Sequence, residues 1–73
     1  MGLVVALGEA ARVAHLALGG AVVVSAEDAE AVRRSWRSLG GDVALVILTE
    51  RAAAALADER SAGRRVLTVV MPP

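Results

Sequence analysis

The chain has no cysteine, lysine, phenylalanine or tyrosine, and only one tryptophan and one histidine in 73 residues. Without cysteine, neither a disulfide framework nor a thiolate metal site can be built, and a single histidine leaves zinc short of its usual ligands. The missing lysine excludes Walker-type phosphate chemistry, Schiff-base chemistry and the lysine of a phosphoacceptor site. Eight arginines against eight acids give a formal net charge of zero, so the basic footprint of a nucleic-acid binder is absent. No apolar run is long enough for a membrane. The apolar opening, residues 1–24, is broken by Glu9 and Arg12, each of which would cost about 2.5–3.5 kcal/mol at a bilayer centre. It is also punctuated by Gly8, Gly19 and Gly20, and it lacks the basic start of a signal peptide. A single cytosolic, soluble domain over residues 1–73 is the expectation.

Hydrophobic residues make up 56% of the chain, which excludes a disordered tail. With so few aromatics the core must be valine, leucine and alanine. A core this light nets roughly 3–5 kcal/mol in so short a chain, so a partner covering more apolar surface would add substantially to its stability.

Four apolar runs occupy residues 3–7, 21–24, 43–48 and 66–71, with starts separated by the length of a βα unit. They are continuous rather than alternating and rich in valine, as parallel strands covered on both faces require. Helix-length segments lie between them. Residues 9–18 carry apolar side chains almost all round, leaving Arg12 and His15 as a narrow polar edge, so this helix should be buried on more than one side. In the second segment Ser25 and Asp28 have capping-box spacing, and Ala29, Val32, Trp36 and Leu39 form one apolar stripe. Acids at Glu27, Asp28 and Glu30 lead and arginines at Arg33, Arg34 and Arg37 follow, which suits the helix dipole, and Gly40-Gly41 should end the helix. The third segment opens at Thr49 as N-cap, runs through alanines 52–55 and should end near Gly63.

The order β-α-β-α-β-α-β predicts a small flavodoxin-like α/β domain: a doubly wound, four-stranded parallel sheet, order 2-1-3-4, with three helices. Right-handed crossovers then put the first helix alone on one face and the other two opposite. The first face should stay bare over the third and fourth strands.

Ligand chemistry in such a sheet sits at the carboxyl ends of the strands. Gly8-Glu9-Ala10-Ala11 is no phosphate-binding glycine loop, Ser25 to Asp28 reads as a helix cap, and Thr49-Glu50 and Met71-Pro72-Pro73 offer little. A receiver domain would need an aspartate where Thr49 stands. His15 lies within a helix and reads as a surface or interface residue. Ser25, Ser35, Ser38 and Ser61 sit in no nucleophile elbow. Glu9 and Glu50 could meet above the sheet but read as solvated. Trp36 reads as core, and the pairs Arg33-Arg34 and Arg64-Arg65 as solvated charges or rim contacts to an acidic partner. No catalytic, cofactor-binding or metal site is expected.

The opening Val4-Val5-Ala6-Leu7-Gly8-Glu9 and the helix end Leu16-Ala17-Leu18-Gly19-Gly20 resemble the start of the F subunit of the V/A-type proton ATPase. The middle is the stronger match: Trp36, Leu39, then residues 42–50, an aspartate, a run of aliphatics and Thr-Glu, followed by an alanine-rich helix. The close Val69-Val70-Met71-Pro72 is similar to the fourth strand of that family. His15 departs from the small residue the family favours there. The family continues past this proline into a loop and a C-terminal helix, so no role resting on that helix carries over. The resemblance implies a non-catalytic, cofactor-free central-stalk protein that binds the coiled-coil D subunit of the same stalk. It would contact no nucleic acid and would meet the membrane only indirectly, as a peripheral part of the complex on the cytoplasmic side. A stand-alone flavodoxin-like regulatory or ligand-binding module is the rival expectation. The bare face also predicts weak self-association of the isolated chain.

Overall fold

A computed structural model describes residues 2–60 and 66–72. Its four strands are β1 (Leu3–Gly8), β2 (Val22–Ser25), β3 (Val43–Leu48) and β4 (Leu67–Val70), all parallel and in the spatial order β2-β1-β3-β4. The doubly wound sheet expected from the spacing of the apolar runs is therefore the fold.

Register assigns the two faces. Val5, Leu7, Val24, Val46 and Leu48 line one face, and α2 (Ala29–Arg37) and α3 (Glu50–Ala55) cover it. Val32 and Trp36 come down from α2, while Ala52, Ala53 and Leu56 come from α3 and its end, and all are buried. Burying each large side chain of this set contributes about 1.5–3 kcal/mol. The alanines let α3 lie close to the strands. Trp36 is thus core, as its place in the α2 stripe predicts, whereas Ala29, at the head of that stripe, is exposed in the first turn. On the opposite face Val13 and Ala6 are fully buried, beneath α1 (Ala10–Val13), which packs over β1 and β2.

The structure corrects four boundaries. The first helical stretch is α-helical only through Val13 and continues as a 3-10 helix, Ala14–Gly19, which Gly20 ends at φ 95°, a left-handed cap conformation that glycine adopts without strain. Ser25 caps nothing. It remains in the β2 ladder opposite Gly8, and Asp28 is the N-cap, its Oδ1 accepting from the Ala31 amide at 2.7 Å. At its far end α2 stops at Arg37, before Gly40-Gly41, because the Ser38 and Leu39 amides turn back onto carbonyls of residues 34–36. Neither of those glycines has a positive φ. Finally, the third helical stretch is divided at Leu56 into α3 and α4 (Ala57–Arg60), so the three expected helices are more finely broken. The expected end near Gly63 lies outside the described residues, as do Ser61, Arg64 and Arg65. Among the described residues no helix is long and apolar enough to cross a membrane.

Candidate functional site

In strand order 2-1-3-4 the crossovers reverse direction between β1 and β3, and the crevice above their carboxyl ends is where such sheets bind ligands. Two side chains meet there. Glu9 is the first residue after β1 and Thr49 the first after β3. The fully buried Thr49 hydroxyl donates to Glu9 Oε1 at 2.5 Å and accepts from the Ala52 amide at 3.2 Å, so one oxygen bridges the strands and caps α3. The Thr49 amide meanwhile donates to the Leu7 carbonyl. A Cβ at Gly8 would run into the Thr49 side chain, so glycine is what allows this approach.

The Thr49 hydrogen bond is the main reason the Glu9 carboxyl is held below its ordinary range, helped by the residue's own amide and by Arg51 and Arg12, against a small opposing cost of burial. The neighbouring polar groups are engaged in the same way. Glu27 Oε2 accepts from the Ala10 amide at 2.9 Å and so holds the start of α1, and the Ala26 amide donates to the Gly8 carbonyl. Arg12 reaches over to donate to the Pro72 carbonyl at 3.0 Å, beyond β4.

What space is left is a cleft of about 100 Å³, with Glu9, Glu27, Asp28 and Arg51 around it and Ala26 and Val32 among its lining. Pockets that enclose metabolites start near 300 Å³. Among the described residues no three acidic or imidazole groups converge as a metal ion would require. Glu9, Thr49 and Glu27 at the strand tips fasten loops to one another. Glu9 and Glu50 do not act as a pair: Glu9 turns to Thr49, while Glu50 stays exposed in the first turn of α3, where it favours the helix dipole. His15 is exposed on the 3-10 helix, and the Ser38 hydroxyl donates to the Ser35 carbonyl. An ion pair between Arg37 and Glu59 at 3.0 Å ties α2 to α4, a contact that the dipole reading of Arg37 did not supply.

The surface with unspent capacity lies elsewhere. Leu45, Ile47, Leu67 and Val69 share the face covered by α1, but α1 and the 3-10 helix pack mainly over β1 and β2. Leu67 is 73% exposed and Val69 51%. Leu45 and Ile47 are half-buried, so the half-face that the crossover rule leaves uncovered is open chiefly along β4. Beside it, the outward surface of the segment from Ala10 to Gly19 presents Ala10, Ala11, Ala14, Ala17 and Leu18, with His15 the sole polar side chain among its exposed residues.

Comparison with protein-family models, with curated proteins and with solved structures yields no match.

Proposed function

We propose that the chain is a non-catalytic interaction protein, the F-type central-stalk component of a rotary V/A-type proton ATPase. In this reading it seats on the coiled-coil D subunit at the cytoplasmic side of the membrane sector and helps couple ATP turnover to proton movement by turning as one body with the stalk. The observation that carries it is the bare apolar strip over β3 and β4, flanked by an outward-facing apolar helix. Isolated exposed apolar residues are ordinary, but a contiguous strip beside an apolar ridge marks a binding surface. The resemblance of residues 4–9, 42–50 and 69–72 to the F subunit supplies the kind of assembly. The mechanism asks little of side-chain chemistry: a stable contact takes about 800 Å² per partner, so the stalk would cover the strip, the ridge and surface beside them.

The rival reading, a ligand-binding module, would use the small cleft beside Glu9, where the Thr49–Glu9 hydrogen bond already engages both side chains. Co-purification with the coiled-coil stalk protein of the same source tests the proposal. The folded chain should come down with the stalk, and Leu67→Glu should abolish this while leaving the fold intact. A folded native chain that fails to co-purify overturns the stalk reading.

A further inference from the structure

We infer that the isolated chain pairs with a second copy of itself, each copy laying its α1–3-10 ridge into the bare strip of the other. One face of the sheet is half ridge and half groove. The ridge covers β1 and β2; the groove spans β3 and β4. Two strands at about 4.8 Å spacing make a strip roughly 10 Å wide, the width one helix fills on a sheet, and also the distance at which two helices pack side by side. The ridge is fit for the place. Its inward side is satisfied by Val13 and its outward side is alanine, which permits close approach to strands.

The symmetry follows from the same layout. A two-fold axis running along the strands sets each ridge over the other copy's groove, whereas an axis across the strands would set ridge on ridge. Such a contact is isologous and closes at two copies. The axis lies beside the ridge edge that faces β4. Arg12 marks that edge, because its guanidinium reaches the Pro72 carbonyl. The three-residue repeat of the 3-10 helix brings His15 and then Leu18 onto the same side. Leu18, 94% exposed in the single chain, is thereby set against Leu18 of the second copy. Each copy contributes two footprints about 10 Å by 15 Å, which totals less than the roughly 1,200 Å² of a stable complex. The dimer is accordingly weak and readily displaced by a larger partner at the same surface. The pairing stands without the stalk reading, and either can fail alone.

Sedimentation equilibrium of the full chain between 10 μM and 1 mM tests it. The native chain should pass reversibly from monomer to dimer within about that range. Leu18→Glu and Leu67→Glu, both at exposed positions, should each weaken association at least tenfold with unchanged circular dichroism. Val22→Glu should change it less than twofold, because Val22 is 47% exposed but lies in β2 on the face opposite the ridge. As the chain has no native cysteine, a Leu18→Cys variant gives a second readout: oxidation should link its copies far faster than those of Val22→Cys. A native chain that remains monomeric at 1 mM overturns the inference. So does a dimer indifferent to residue 18, which would mark pairing along the β4 edge, or equal linking at the two cysteine positions.

Discussion

Replacing Thr49 by valine removes one oxygen and keeps the shape of the side chain. That oxygen makes two bonds, as acceptor from the Ala52 amide and donor to the Glu9 carboxylate. Loss of an N-cap costs about 1 kcal/mol. A hydrogen bond to a charged group contributes about 1.5–3 kcal/mol when buried; Glu9 is only partly buried, so about 1 kcal/mol is the appropriate share. The sum, about 2 kcal/mol, is close to half of what so small a core nets, and it lowers Tm by roughly 8–16 °C. The loss is pH-dependent. Thr49 leads the groups that hold Glu9 below its ordinary value of 4.5, so the folded state favours the ionised carboxylate more than the unfolded chain does. That contribution is fully present above 4.5 and is lost as pH falls through the lowered folded value. The gap between native and variant should therefore narrow in acid toward the cap contribution alone. Urea titrations of native, Thr49→Val and Thr49→Ser chains at neutral and acidic pH measure this, the serine variant keeping the hydroxyl and most of the stability. Equal midpoints for native and valine chains, or a serine variant as weak as the valine one, would refute the role given to the hydroxyl.

Other substitutions separate the remaining structural statements. Asp28→Ala should cost about 1 kcal/mol in chemical denaturation and Ser25→Ala less than about 0.5, because Asp28 is the cap and Ser25 is not. Trp36→Ala should cost about 3–5 kcal/mol and leave the chain largely unfolded by far-ultraviolet circular dichroism, whereas a surface tryptophan would tolerate the change. Gly8→Ala should destabilise by at least about 1 kcal/mol and disturb the Thr49 resonances, since the added carbon meets that side chain.

Sequence alone determined the parallel sheet. Four continuous valine-rich runs at βα spacing are what strands buried on both faces look like, and right-handed crossovers leave few ways to order them. It also determined the bare half-face, because three crossovers cannot cover both sides of four strands evenly. Thr49 as a cap and Trp36 as core were equally legible, each resting on short-range spacing. The tertiary structure decided where the polar tips point. Glu9 and Glu50 both read as solvated along the chain, yet Glu9 finds a partner in Thr49, one residue before Glu50. Successive residues at a strand end project in different directions, and only the register between β1 and β3 fixes which two converge. The same holds for Ser25: pairing with Gly8 keeps it in the sheet and delays the helix to Asp28. Local pattern specifies elements because it acts within a few residues. Which hydroxyl meets which carboxylate 40 positions away is settled by how the strands line up.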